Sequence, residues 1–89
     1  MNDTLALPER VTLDNATAVM AVLQDQLPKG QLVHLNAHAL QTFDSAVVAV
    51  LLALQRRLLG ENRRLQVSQR SERLQALLVL YGVADLLPA

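Results

Sequence analysis

The apolar residues of this chain fall into short continuous runs and into longer stretches with a spacing of three or four positions. The short runs at residues 4–7, 32–35 and 65–67 predict three strands. Pro8 cannot donate a backbone hydrogen bond, so we expect the first strand to lie at a sheet edge. The mostly apolar run 32–35 is typical of a central parallel strand that is buried on both faces.

Helical spacing after Asp14 predicts the first helix, with one buried stripe. Either Thr12 or Asp14 can cap its N terminus. The sequence Pro-Lys-Gly at residues 28–30 ends it, because proline and glycine interrupt helices. The stripe consists of Ala16, Val19, Met20, Leu23 and Leu27.

The longest predicted helix begins at the capping residues Asp44 and Ser45, runs to Leu59 and stops at Gly60. One apolar stripe is sufficient to cover a sheet, and it consists of Val47, Val50, Leu51, Leu54 and Leu58. A second stripe begins at Ser45, continues towards Arg56 and contains Val48, Ala49 and Leu52. A helix that is apolar nearly all round is buried on two sides, so we expect a partner to cover the second stripe. A neighbouring helix of the same chain is the alternative.

Ser71 caps a third predicted helix, and Gly82 ends it. Its buried face consists of Leu74, Leu77, Leu78 and Tyr81. Residues 83–87 form a short terminal element. The order strand, helix, strand, helix, strand, helix predicts an α/β fold, with one domain over residues 1–89 and a small, mostly parallel sheet covered by helices. An antiparallel first strand is the alternative at the sheet edge.

Length and composition predict one hydrophobic core and indicate where in the cell the protein resides. At 89 residues the chain is long enough for one hydrophobic core, and its 52% hydrophobic content argues against disorder. It has no cysteine, which excludes a disulfide framework and a thiol nucleophile. The longest apolar run, residues 46–54, is too short to cross a membrane, and the N terminus has no basic region. We therefore expect a cytoplasmic protein that does not insert into the membrane.

The sequence predicts neither an enzyme nor a metal site. The three glycines are isolated, so no phosphate-binding loop and no glycine-built oxyanion site can be identified. His34 lies in a predicted strand and His38 in the following loop, so their spacing does not place them on one helix face. We expect no catalytic residue, no metal and no cofactor.

Charge is unevenly distributed although the formal net charge is zero. Six of the eight basic residues are arginines between positions 56 and 73. A solvated face is the simplest interpretation, with an acidic partner surface or anionic lipid as the alternative. Phe43 and Tyr81 are the only aromatic residues, which leaves no stacking platform for nucleic acid.

Ser45 has two interpretations. As a helix cap it would contribute about 1 kcal/mol to stability and have no other role. Alternatively, it anchors a partner at the positive end of the helix dipole, where backbone N–H groups favour acceptors, while Asp44 holds the loop.

Four short segments carry a resemblance to a known family. They are Leu-Val-His-Leu-Asn at 32–36, Phe-Asp-Ser-Ala at 43–46, Arg-Leu-Gln-Val at 64–67 and Leu-Tyr-Gly-Val-Ala-Asp-Leu-Leu at 80–87. Together with the valine- and leucine-rich helix, this arrangement resembles the STAS domain, the anti-sigma factor antagonist fold. It is most similar to the MlaB-like branch of that family. It departs from the family pattern at Asn36, where aspartate is usual, and at Ala46, where glycine is usual.

The resemblance implies a non-enzymatic subunit that binds the cytoplasmic ATPase of an ABC-type phospholipid transporter, and through it the membrane permease. Such transporters maintain the lipid asymmetry of the outer membrane, so the subunit is expected to be cytoplasmic and peripheral to the inner membrane. The expected partner-binding residues are Asp44, Ser45, Ala46, Val48, Ala49, Leu52 and Arg56.

Two alternatives stay open. In phospho-switched members of the family a kinase modifies the serine of the Asp-Ser motif, which corresponds to Ser45 here. The first alternative is therefore an anti-sigma factor antagonist whose partner is an anti-sigma kinase and which is regulated by phosphorylation of Ser45. The second is a homodimer through the same helix stripe.

Overall fold

The computed structural model describes residues 4–87 and has an α/β architecture over that range. In chain order its elements are β1 (Thr4–Ala6), β2 (Arg10–Val11), α1 (Ala16–Asp25), β3 (Leu32–Asn36), β4 (Thr42–Phe43), α2 (Ala46–Gly60), β5 (Arg64–Ser68), α3 (Glu72–Leu80) and a 3₁₀ helix (Ala84–Leu86). The predicted fold class is confirmed, and each predicted strand and helix is present.

The main sheet has the strand order β1, β3, β5, and its strands are parallel. β3 is central and β1 lies at an edge, as predicted, but β1 is parallel to β3. The register places Leu5, Leu35 and Val67 side by side on one face, where all three are buried. On the opposite face, His34 and Gln66 are only half-buried. The prediction that the central strand is buried on both faces is therefore wrong.

The topology explains why one sheet face stays open. The chain crosses the sheet in one direction, from β1 to β3 to β5, and right-handed crossovers then place α1 and α2 on the same side. On that side the buried residues of strands and helices form one core. The open face carries mostly polar side chains, which are those of Thr4, Ala6, Leu32, His34, Asn36, Arg64, Gln66 and Ser68.

A second, two-stranded parallel sheet forms where the sequence predicts only a loop. It pairs β2 with β4, so that Arg10 lies opposite Thr42 and Val11 opposite Phe43. The pairing continues into the next residue, because the backbone N–H of Asp44 donates to the Val11 carbonyl at 3.3 Å. This small sheet fixes the position at which α2 begins.

The N terminus of α1 differs from the prediction. The capping position is Asn15, and neither Thr12 nor Asp14 occupies it. The Asn15 side chain instead faces the preceding turn, accepting from the Thr12 N–H at 2.8 Å and donating to the Arg10 carbonyl at 2.9 Å. Asp14 pairs with Arg10 at 3.3 Å. The predicted buried stripe of α1 is centred on Val19 and Leu23, which are buried.

The long helix α2 uses the predicted core stripe, since Val47, Val50, Leu51, Leu54 and Leu58 are all buried. Its end is one residue later than predicted, because Gly60 is still helical. The residue with the left-handed conformation that terminates the helix is Asn62, with φ of 60°. The N–H of Asn62 donates to the Leu59 carbonyl at 3.0 Å, and that of Arg63 to the Leu58 carbonyl at 2.7 Å.

The third helix, α3, begins and ends as predicted. The Ser71 hydroxyl accepts from the Leu74 N–H at 3.1 Å, which caps the N terminus. Gly82, with φ of 70°, ends the helix, and the N–H of Val83 donates to the Leu78 carbonyl at 3.0 Å. The predicted burial of Tyr81 is wrong: it is 51% exposed, because it is the last residue before the chain turns away.

One backbone carbonyl at the outer edge of β5 is bonded to a side chain. Gln69 has a left-handed conformation, with φ of 59°, and the chain turns back there. The Arg70 Nε donates to the Val67 carbonyl at 3.0 Å, and its Nη1 donates to the Gln75 Oε1 at 2.7 Å. That carbonyl points away from β3, because the neighbouring Ser68 carbonyl accepts from the Ala37 N–H on the β3 side and successive residues of a strand alternate.

Candidate partner-binding site

The junction of β4 and α2 is organised by the carboxylate of Asp44. Its Oδ1 accepts from the Ala46 N–H at 2.8 Å, and its Oδ2 accepts from the Leu13 N–H at 3.0 Å. These two bonds hold the pKa of the Asp44 carboxyl below its ordinary value, with the Leu13 bond as the larger cause. Asp44 thus ties the turn before α1 to the N terminus of α2.

Ser45 precedes the helix but does not cap it. Its backbone is helical, with φ of −61° and ψ of −14°, whereas a capping residue normally has an extended backbone. The hydroxyl makes no capping bond, and within residues 4–87 it has no hydrogen-bond partner. The interpretation of Ser45 as a helix cap is therefore wrong, because Asp44 satisfies the N–H of Ala46. Ser45 is exposed, and its hydroxyl is available to a partner.

Two of the expected partner-binding residues are buried inside the domain. Ala46 is 9% exposed and Val48 is 4% exposed, so neither presents a side chain to a second protein. Val48 lies on the same side of α2 as Gln55, whose Nε2 donates to the carbonyl of Leu86. At Gln55 this side of the helix therefore contacts the C-terminal segment of the same chain. Val48 itself belongs to the hydrophobic core, so the chain buries this part of the second stripe without a partner.

The remaining expected residues of α2 lie along one side of the helix, which we term the outer ridge: Ser45, Ala49, Leu52 and Arg56. Ala49 and Arg56 are exposed, while Leu52 is half-buried against the core. At 1.5 Å per residue the ridge is about 16 Å long. It begins at Asp44, which is itself exposed but has both carboxylate oxygens engaged.

A shallow groove of about 380 Å³ lies between the ridge and α1. Its walls are mostly small or flexible side chains, namely Ala16, Thr17, Met20, Gln24, Ala49, Val50 and Ala53. Ala53 was not singled out from the sequence, although its spacing of four from Ala49 is the signal that could have found it. Small side chains let another protein approach the helix closely.

A second groove, of about 350 Å³, lies between the start of α2 and α3. The guanidinium carbon of Arg73 lies 4.7 Å from the centre of the Phe43 ring, and its Nη1 is 3.4 Å from the Gln41 carbonyl oxygen. Leu80, at the rim, is 79% exposed. Sequence analysis missed this groove, since Phe43 and α3 are far apart in the chain and no periodic pattern joins them.

The arginines do not form one continuous face. Arg63 donates to the carbonyls of Pro28 and Gly30, and it also pairs with Glu61 at 2.9 Å. Together with Arg57 it lowers the pKa of Glu61, and Arg63 is the larger cause. Within residues 4–87, the exposed Arg56 has no ion pair or hydrogen bond, so it is the cation of this group that lies free on the ridge.

The two histidines do not meet at a common site. His34 is half-buried on the open sheet face, and the exposed His38 donates its backbone N–H to the Asn36 Oδ1 at 2.7 Å. Among the described residues, no group of three or more His, Cys, Asp or Glu side chains is arranged to hold a metal. No helix in this part of the chain has the length and apolar character needed to cross a membrane.

Comparison with known proteins adds a family. A family model described as Mlab, STAS domain, matches residues 2–88. No curated protein and no solved structure matches the chain.

Proposed function

The chain belongs to the STAS domain family, and we propose that within it the chain is a non-enzymatic subunit that binds the cytoplasmic ATPase of an ABC-type phospholipid transporter. In this proposal it supports the assembly or activity of a transporter that maintains the lipid asymmetry of the outer membrane. It would reside in the cytoplasm and reach the inner membrane only through the ATPase and its permease.

The observation that carries the proposal is the division of roles between Asp44 and Ser45. Asp44 supplies the hydrogen bonds that the helix N terminus and the turn at Leu13 require. The Ser45 side chain contributes no hydrogen bond to the helix N terminus, and its hydroxyl lies exposed at the positive end of α2. A partner acceptor can bind there without disturbing the domain.

In this proposal the contact surface for the ATPase extends from Ser45 along the outer ridge. Ala49 lies in its middle, with the groove beside α1 on one flank. The ridge ends at Arg56, which has no carboxylate partner in the described part of the chain. The ridge thus has a small apolar centre, a hydroxyl at one end and an unpaired cation at the other. Polar groups at the rim of an apolar contact can fix the orientation in which a partner binds.

The test is affinity purification of the tagged protein from mildly solubilised membranes of its native cell, with mass spectrometry of the proteins that co-elute. Recovery of an ABC ATPase with its permease supports the proposal. Ser45→Glu and Ala49→Arg are then expected to abolish co-purification while the circular dichroism spectrum stays unchanged. Val22→Arg is the matched control, because Val22 is an exposed apolar residue on the side of α1 that faces β1. Intact binding by both ridge variants would overturn the assignment of the interface.

An anti-sigma factor antagonist is the second candidate, and the exposure of Ser45 favours it too. A phosphate at this position would add about two negative charges next to Asp44 and change the ridge. Incubation with ATP and the anti-sigma kinases of the same cell, followed by mass spectrometry, tests this candidate, with Ser45→Ala as control. A soluble kinase instead of an ATPase in the purification would favour it. A homodimer through the ridge would appear in sedimentation at micromolar concentration.

A further inference from the structure

The groove between the start of α2 and α3 combines an apolar floor with one fixed cation. It is lined by Phe43, Asp44, Arg73, Ala76, Leu77 and Leu80. Asp44 lines the groove and directly precedes Ser45, so the groove lies next to the Ser45 end of the outer ridge. A protein that covers Ser45 is therefore close enough to contact the groove as well.

The two charged side chains in the groove, Asp44 and Arg73, differ in how many of their hydrogen-bonding groups are free to bind a partner. Each carboxylate oxygen of Asp44 already accepts a backbone N–H, from Leu13 or from Ala46. Arg73 forms no ion pair within residues 4–87, and its one hydrogen bond, to the Gln41 carbonyl, is long at 3.4 Å. A guanidinium has five N–H donors, so most of those of Arg73 are unused. The groove therefore offers donors and needs an acceptor.

Arg73 also lies against an aromatic ring. Its guanidinium lies over the face of Phe43, 4.7 Å from the ring centre, an arrangement that orients a cation on an aromatic ring. A planar donor group held in one orientation favours a carboxylate, which it can bind through two parallel hydrogen bonds.

Two leucines and a phenylalanine supply the apolar part of the groove. Leu80 is 79% exposed and adjoins the half-buried Leu77, and both line the groove with Phe43. A single exposed leucine needs no explanation, but an apolar patch next to a fixed guanidinium is complementary to one particular arrangement. That arrangement is an aliphatic side chain with a carboxylate beside it.

We propose that this groove receives a segment of the transporter ATPase that presents an aliphatic side chain next to a carboxylate, with the carboxylate on Arg73 and the aliphatic group against Leu77 and Leu80. The inference deepens the proposed function and rests on it. Contact at the groove and at the outer ridge would fix the orientation of the ATPase around the start of α2.

The experiment measures the affinity of the purified ATPase for the wild-type chain and for variants. Arg73→Glu and Leu80→Asp are each expected to weaken binding about tenfold or more. Arg73→Lys is expected to weaken it less, since a lysine keeps the charge but loses the planar fork. Val79→Asp is the matched control, because Val79 lies at a neighbouring position of α3, is 59% exposed and does not line the groove. The affinity of Arg73→Gln should also fall less with salt than that of the wild type.

The outcomes are distinguishable. If Arg73→Glu and Leu80→Asp bind like the wild type while Ala49→Arg does not bind, the groove proposal is overturned and the proposed function stands. If the wild-type chain does not bind the ATPase, both are overturned. If the free chain sediments as a dimer that Leu80→Asp dissociates, with the ATPase affinity unchanged, the occupant is a second copy of the chain and the proposal is wrong.

Discussion

The backbone N–H of Leu13 donates to the carboxylate of Asp44 at 3.0 Å, a bond between residues 31 positions apart in the chain. The same carboxylate accepts from the Ala46 N–H, so one side chain fixes the entry to α1 and the start of α2 together. Loss of this carboxylate is therefore expected to affect two helices, whereas loss of the Ser45 hydroxyl is expected to affect neither.

The first prediction compares three alanine variants. Ser71→Ala is expected to lower the free energy of unfolding by about 1 kcal/mol, since the Ser71 hydroxyl caps α3. Ser45→Ala is expected to change it by less than about 0.5 kcal/mol. Asp44→Ala is expected to destabilise clearly more than Ser45→Ala. Urea denaturation measures all three. A loss for Ser45→Ala as large as that for Ser71→Ala would contradict the assignment of the cap to Asp44.

The second prediction concerns acid. The pKa of Asp44 in the folded protein lies below the ordinary value of 3.8, so its ionised form stabilises the fold above that pH. This contribution is lost as the pH falls through the lowered pKa. Asp44→Asn is therefore expected to have a lower free energy of unfolding than the wild type at neutral pH, and this difference is expected to become smaller in acid. Urea denaturation at a series of pH values measures the difference.

Glu61 provides the control for that series. Its pKa is also lowered, from an ordinary value of 4.5, mainly by Arg63. Glu61→Gln is expected to remove a separate part of the acid dependence, which begins at higher pH than that of Asp44. If the difference in free energy of unfolding between the wild type and Asp44→Asn stays constant from neutral to acidic pH, the charge of the Asp44 carboxylate does not contribute to stability.

The third prediction separates the two neighbours in the middle of α2. Val48 is buried, so Val48→Ala is expected to lower the free energy of unfolding by roughly 1–3 kcal/mol. Ala49 is exposed, and Ala49→Arg is expected to change it by less than about 0.5 kcal/mol. Thermal and urea unfolding measure both. Equal effects of the two variants would contradict the placement of Val48 in the core and of Ala49 on the surface.

The fourth prediction compares two glycines. Gly82 has a left-handed conformation, so Gly82→Ala is expected to cost about 1 kcal/mol. Gly60 is helical, and apart from its chain neighbours and the backbone of its own helix no atom lies within 4 Å of an added methyl group, so Gly60→Ala is expected to stabilise the protein by about 0.5–1 kcal/mol. Calorimetry measures both. Destabilisation by Gly60→Ala would indicate that Gly60, and not Asn62, terminates α2.

The sequence predicted the elements well because their signals are local. Helical spacing identified the stripe that includes Leu51 and Leu54, and a serine and a glycine marked both ends of α3. The pairing of β2 with β4 was not predictable in this way, because strands of two residues have no periodic pattern and acquire their partners only from the tertiary fold.

The candidate site was only partly predictable. Asp44 and Ser45 are both good capping residues, and only the contact with Leu13 decides which of them caps α2. Val48 belongs to the hydrophobic core of the folded domain, and its burial there depends on long-range packing that no pattern within α2 records. The groove at Arg73 depends on the same kind of long-range placement, since it brings α3 to Phe43.

The bond from Arg70 to β5 has a consequence for concentrated solutions of the protein. A strand from another molecule that pairs at Val67 would compete with Arg70 for the Val67 carbonyl. At the opposite edge, β1 has three residues and is followed by Pro8, which offers little backbone for pairing. Both features work against edge-to-edge pairing, so Arg70→Ala is expected to increase self-association of the free domain.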